Sequence, residues 1–296
     1  MSDHLKAVLI VVISGLIWSF GALVVKHMAD PQLYQLPYLV IRGSTVALII
    51  GLFLLVNEKK DFFLSLIKID RISVIGGLSL TTAMMGFIYS ISYTTAAVTL
   101  FMLALMPFLA SLIAYIFVKE KISLQNFLSM IIALIGAIII IYASAFSGSI
   151  FGLVMGFISS LGFATFSVAL RTKSNFKKFY ILIYAGLFCA IISLSLMIFN
   201  GQELYLPLKN IFLSITHGVI VAIGLILFSF GSKHLLSGEL TMLSLLEVVG
   251  GILWAWLPIL GINEVPSLNT IIGGIVICLA IVVNSFRLNK EELKSN

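Results

Sequence analysis

The sequence predicts an all-α membrane protein. Ten transmembrane helices form two inverted five-helix repeats, with both termini in the cytoplasm. Three observations predict this. The 296 residues are 60% hydrophobic and only 10% charged, with a mean hydropathy of +1.17, beyond what a soluble core of this length calls for. The lysines and arginines collect in alternate loops. The two halves of the chain also match each other along one diagonal.

The predicted spans lie near 6–28, 33–56, 71–93, 95–117, 123–145, 149–170, 178–199, 210–231, 237–258 and 268–287. Each supplies the roughly 20 apolar residues needed to cross about 30 Å of hydrocarbon. The first follows Lys6, is longer than a signal-peptide core and has no A-x-A site after it, so it reads as an uncleaved helix. The connections are short, so consecutive helices are antiparallel neighbours and no soluble domain fits between them.

Sidedness follows from the cations. One set of loops and termini holds Lys6, Lys59, Lys60, Lys68, Arg71, Lys119, Lys121, Arg171, Lys173, Lys177, Lys178, Lys233, Arg287, Lys290 and Lys294, whereas the opposite loops hold Lys209. Lys26 and Arg42 fall within or at the edge of spans. The positive-inside rule places both termini in the cytoplasm. The net charge of +6 is therefore a topology signal and not a nucleic-acid footprint. Cys189 and Cys278 lie inside spans as small apolar residues, and neither a disulfide framework nor a metal site follows from them.

The repeat divides the chain into 1–146 and 147–296. A shift of 141 residues lays Gly15–Gly21 on Gly156–Gly162 with four identities in seven, and carries Leu105, Leu112 and Ala114 onto Leu246, Leu253 and Ala255. After three extra residues near Pro258 the shift becomes 144, and Glu120-x-x-Ser-Leu falls on Glu264-x-x-Ser-Leu. Five spans is an odd number, so the second half enters from the other side. This is the inverted-repeat plan of secondary transporters, whose site lies near the midplane.

Two charges stand at membrane depth. Arg42 lies roughly 13 Å into the second span and Glu247 about as far into the ninth, at 1.5 Å per residue. Either costs about 2.5–3.5 kcal/mol at a helix centre, so both should face the bundle interior and find partners. Bordering a cavity, Arg42 would grip a carboxylate bidentately, and Glu247 would meet an ammonium or carry a coupling proton. The structural alternative pairs them with each other or with backbone. Trp18, Tyr38 and Tyr89 are candidates for an aromatic wall that attracts ammonium groups, against the routine reading of interfacial aromatics. His217, roughly 9 Å into the eighth span, is a candidate proton relay or a packing residue. Three- and four-residue steps place Ser244 and Gly251 on the face of Glu247. Lys26 reads as a snorkelling cation and Glu239 as a carboxylate at a helix N-terminus. Glu120 and Glu264 read as braces for the helices that follow them. Pro107 reads as a kink in the fourth span.

These residues resemble the drug/metabolite transporter superfamily in its EamA-like branch. The opening Ile17-Trp18-Ser19-Phe20-Gly21 with Lys26 is similar to that family's first helix. Arg42 is similar to its helix 2 arginine. Met106-Pro107-Phe108 through Glu120, and Leu245-Leu246-Glu247-Val248-Val249 through Glu264, resemble its two repeat signatures. Val248 stands where many members have proline. The resemblance implies a central cavity lined by helices 1–4 and 6–9, with helices 5 and 10 peripheral. It also implies alternating-access transport of a small metabolite without ATP.

The expected function is secondary transport of a small polar metabolite (an amino acid, amine or related zwitterion), with no cofactor and with the bilayer of a bacterial inner membrane as surroundings. Small-residue stripes on helices 5 and 10 permit a homodimer. The competing readings are a membrane-embedded enzyme, a non-transporting receptor or scaffold, and a channel. Against the enzyme, the chain has no HExxH, no GxSxG and no Gly-Lys dipeptide for a P-loop, and His4, His27, His217 and His234 are scattered.

Overall fold

The computed structural model describes residues 2–59, 61–68, 70–94, 96–143, 149–173, 176–261, 265 and 267–292. Lys60, Glu264 and Lys294, used in the sequence reading, lie outside these residues. Among the described residues all regular structure is helical: α1 (Asp3–Trp18), α2 (Phe20–Lys26), α3 (Gln35–Glu58), α4 (Asp61–Ile67), α5 (Arg71–Tyr93), α6 (Ala96–Leu103), α7 (Met106–Phe117), α8 (Leu124–Ala143), α9 (Ile150–Arg171), α10 (Lys177–Phe199), α11 (Leu208–Gly231), α12 (Ser237–Ser244), α13 (Leu246–Trp256) and α14 (Leu268–Glu292), with a short 3₁₀ turn at Pro258–Leu260. Lipid cannot hydrogen-bond a backbone, so a chain this apolar satisfies its peptide groups within helices.

Eight of the expected spans coincide with helical stretches long and apolar enough to cross a membrane. The fifth and tenth fall on α8 and α14, whose described apolar stretches, Leu124–Ile139 and Ile271–Asn284, are shorter. Leu48, Ile75, Leu112, Ile191 and Phe212 point outward and exposed, a surface that suits hydrocarbon. The protein is a multi-pass membrane protein.

Local chemistry sets the helix starts. Ser2, Asp70 and Ser149 cap α1, α5 and α9 by accepting from the backbone N–H of Leu5, Ser73 and Gly152, which serves donors that helix geometry leaves unpaired. Three spans are interrupted. Between α1 and α2, the Ser19 hydroxyl donates to Leu16 O at 2.6 Å, a back-bond that bends helices. Between α6 and α7 the helix breaks at Ala104–Leu105, and Pro107 sits in the first turn of α7, where its missing N–H costs least. The kink read from Pro107 is thus a full break three residues earlier. The third break, at Leu245 between α12 and α13, has no proline or glycine of its own.

The main packing pairs are α5 with α9, α3 with α10, α8 with α14, α5 with α10, α3 with α11, α1 with α11 and α7 with α12. The small residues of α8 and α14 serve their mutual contact: a Cβ on Gly136 would meet Gly273 O at 2.7 Å.

Ion pairs tie the basic end together. Glu120 does not brace the helix that follows it, as its position in sequence led us to expect. Its carboxylate accepts from Ser237 N at 3.0 Å and Ser237 Oγ at 3.3 Å and lies 2.7 Å from Arg171 Nε. It therefore caps α12 from a distant part of the chain and draws α9 to it. Glu239, in the first turn of α12 and 1% exposed, also meets His4 Nε2 at 2.9 Å. Asp70 binds Lys173 at 2.6 Å.

Two outcomes test these contacts. Glu120→Ala should cost about 1–2 kcal/mol of unfolding free energy, the usual worth of a helix cap, as measured by denaturation in detergent micelles. A variant as stable as wild type would show the carboxylate to be dispensable. Burial alone would push Asp70 up, but hydrogen bonds from Lys173 and Ser73 outweigh it and hold its carboxyl at about 2 against an ordinary 3.8. A depressed acid stabilises above its unfolded pKa and loses that contribution as pH falls toward the folded value. Wild type should therefore lose stability relative to Asp70→Asn between about pH 4 and pH 2. The change should be below about 1 kcal/mol for so exposed a pair, read from melting curves at each pH.

Candidate functional site

At the centre of the bundle α1, α3, α5, α6, α7, α9, α11 and α13 enclose a cavity of about 70 Å³. Its wall is largely apolar, from Leu80, Ala83, Met84, Phe87, Leu103, Met106, Phe163, Val221 and Leu225, with Trp18, Arg42, Ser159, His217 and Glu247 as the polar or amphipathic members. The lining draws on predicted helices 1, 2, 3, 4, 6, 8 and 9. Among the described residues, none from α8, α10 or α14 lines it.

Arg42 projects from α3 and is 4% exposed. Its Nη1 donates to Met84 O at 3.3 Å, and its Nε has no hydrogen-bond partner among the described residues. Glu247 projects from the first turn of α13 and is half-buried. No hydrogen bond or ion pair to it occurs among the described residues. The two opposite charges therefore face one cavity without being hydrogen-bonded to each other. A guanidinium donor left unpaired in a low-dielectric interior is costly, and an anionic ligand group would relieve it.

His217 on α11 reaches the cavity across α2. A Cβ on Gly21 would lie 2.9 Å from His217 Nε2, so the imidazole occupies the space of an absent side chain. His217 Nδ1 is 2.9 Å from the Tyr38 hydroxyl, which is also 3.5 Å from Leu213 O. Trp18 fits the same way, since a Cβ on Gly224 would stand 2.2 Å from Trp18 Nε1. That nitrogen donates to Val221 O at 3.4 Å, and the ring meets Phe163 edge-on at 5.5 Å.

The structure thus brings Trp18, Arg42, His217 and Glu247 together. Tyr38 stands behind the wall as the partner of His217, fully buried. Tyr89 is not in the lining; its ring meets Phe151 edge-on at 6.1 Å. Ser244 also leaves the expected face. Its hydroxyl donates to Thr241 O at 2.7 Å, and its carbonyl packs on Gly15. The physical reason is the break at Leu245, which interrupts the helical period between Ser244 and Glu247. Trp254 donates to Ser19 Oγ at 2.6 Å and so ties α13 to the bend between α1 and α2.

Sequence reasoning passed over Ser159, Met84 and Met106, although a signal for them existed. The 141-residue shift carries Trp18 onto Ser159, Leu80 onto Val221, Met84 onto Leu225 and Met106 onto Glu247, and all eight residues line the cavity. Carrying Trp18 and Glu247 across the shift would have found two of the three.

Residues 5–142 match the EamA-like transporter family. The resemblance read from the sequence is borne out, and the chain is a membrane transporter. The pseudopaline exporter CntI of Pseudomonas aeruginosa is 23% identical over 199 residues, or 67% of this chain and 69% of that one. Its counterpart in a second strain is 23% identical over 201 residues, with the same coverage. A solved crystal structure shares the fold at a TM-score of 0.74 with 17% identity, over 97% of this chain and 99% of that one.

Gly224→Ala should force Trp18 out of its slot. Overpacking of this kind costs about 1–3 kcal/mol, and the displaced indole should shift the intrinsic fluorescence spectrum. An unchanged spectrum with unchanged stability would refute the tight seat described for Trp18.

Proposed function

We propose that this transporter moves a small polar metabolite (an amino acid, amine or related zwitterion) by alternating access through the Arg42–Glu247 cavity. The observation that carries this reading is the shared cavity itself: a buried guanidinium whose Nε has no hydrogen-bond partner among the described residues, and a carboxylate within its electrostatic reach but not hydrogen-bonded to it. Arg42 would take the substrate carboxylate, and Glu247 its ammonium or the coupling proton, with His217 as a proton relay. A cavity of about 70 Å³ is far below the roughly 300–1,000 Å³ of ligand-filled clefts. The bundle must therefore open to admit a solute, which supports a mechanism of successive conformations over a standing channel.

In the same reading the ten spans form two inverted repeats, 1–146 and 147–296, with both termini in the cytoplasm of a bacterial inner membrane. Support comes from packing. The 141-residue shift carries the break at Ala104 onto the break at Leu245. Exchanging equivalent helices also turns the α5–α9 and α5–α10 contacts into the α11–α1 and α11–α3 contacts, which both occur. The relatives named as exporters favour outward transport. A homodimer would use the outer faces of α8 and α14, since their small residues meet each other within one chain.

The test is a thermal-shift screen of purified protein against amino acids, amines and carboxylates, followed by uptake or counterflow of the hits in proteoliposomes. Loss of a charge-assisted hydrogen bond worth about 1.5–3 kcal/mol corresponds to roughly 10–100-fold in affinity. Arg42→Ala should weaken binding of zwitterions and carboxylates, and Glu247→Gln that of zwitterions and amines, by that factor. Zwitterion binding left intact in both variants would overturn the substrate assignment. Binding without transport would favour a receptor.

A further inference from the structure

A second pocket lies at the basic end of the bundle and shares no lining residue with the central cavity. The end of α9, the start of α10 and the end of α11 enclose about 610 Å³ there, between Arg171, Lys173, Lys178 and Lys233 on the polar side and Phe176, Phe179 and Phe230 on the other. Two of the four cations already have carboxylates, Glu120 for Arg171 and Asp70 for Lys173. The other two do not, among the described residues. Asp3 stands within electrostatic reach of Lys233 but forms its ion pair with Lys6.

Lys178 is the unusual member. It is only 6% exposed, and lysine is almost never buried without a counter-charge. Its Nζ donates to Ser229 O and to Ser232 Oγ at 3.4 Å and stands 5.7 Å from the centre of the Phe179 ring. An ammonium has three donors, so one has no protein acceptor among the described residues. The backbone adds to this charge. Phe176, at the N-cap of the 23-residue α10, makes no side-chain cap among the described residues, and its carbonyl accepts from the Phe179 N–H at 3.0 Å, so the positive end of this helix lies beside the same pocket. Such a terminus favours anions. The phenylalanine rings, with Phe179 and Phe230 at 5.2 Å, give the pocket an apolar side suited to the start of acyl chains.

We propose that this pocket binds a phosphate-bearing anion at the membrane surface, with Lys178, Lys233 and the α10 N-terminus as its ligands. The shared chemistry is a phosphate oxyanion, carried either by an anionic phospholipid headgroup or by a soluble phosphate ester. Basic pockets between transmembrane helices bind such headgroups, and the aromatic side fits the lipid. This inference does not rest on the substrate assigned to the central cavity.

The experiment uses the full chain, purified in detergent and washed free of lipid, with its unfolding temperature measured against added phosphatidylglycerol, phosphatidylcholine or glycerol phosphate. Phosphatidylglycerol should raise the unfolding temperature at concentrations where phosphatidylcholine does not. Lys233→Gln, at an exposed position that folding tolerates, should raise the concentration needed about tenfold, the worth of one charge-assisted bond. Lys178→Met should abolish the response, its own baseline serving as the folding control. Lys121→Gln, a surface lysine outside the pocket, should leave it unchanged. A response to glycerol phosphate equal to that of the lipid assigns the site to soluble phosphate esters; a response to the lipid alone assigns it to the headgroup. Equal effects of the two phospholipids, a wild-type response in Lys233→Gln, or an equal loss in Lys121→Gln would each overturn the pocket as a phosphate site.

Discussion

The burial of Arg42 is the constraint on which the centre of this protein depends. A guanidinium at membrane depth cannot face lipid without a cost of about 2.5–3.5 kcal/mol, so α3 must turn that side inward and other helices must close around it. Met84 O supplies one acceptor, α11 brings His217 and α13 brings Glu247 to the same space. The charge is then enclosed yet only partly satisfied. Its Nε has no hydrogen-bond partner among the described residues, and the opposite charge within its reach is Glu247.

Closing helices around one charge requires close approach, and absent side chains provide it. His217 fills the space beside Gly21, and the Trp18 indole fills the space beside Gly224. Both rings come from helices of opposite halves of the chain, so each half carries glycines that seat the other's aromatic groups. The interrupted helices work alongside them. The bend at Ser19, held by Trp254, and the breaks at Ala104–Leu105 and Leu245 all lie in spans that line the cavity.

The basic end is built differently. There the chain is fastened by carboxylates that cross between elements: Glu120 to α9 and α12, Asp70 to Lys173, and Glu239 to His4. Every one of these contacts joins segments far apart in sequence.

The sequence by itself determined the membrane class, the eight strongest spans and the two charges within them. Each of these depends on composition or on the cost of putting a group in hydrocarbon, and both are properties of residues and not of their neighbours. Arg42, Glu247, Trp18 and His217 were therefore legible before any fold was known. The internal shift that pairs Trp18 with Ser159 and Met106 with Glu247 was legible too, though its meaning for the cavity was not. Tertiary structure decided the rest. Ser244 leaves the face of Glu247 because the helix breaks at Leu245, where no local residue type announces a break. Glu120 caps α12 and not its own neighbour because chain folding, not chain order, decides which helix N-terminus lies beside a carboxylate. Lys178 becomes a buried cation without a carboxylate partner among the described residues only because α9 and α11 close over the start of α10. Periodicity and charge describe one segment at a time, whereas a site is made by the distances between segments.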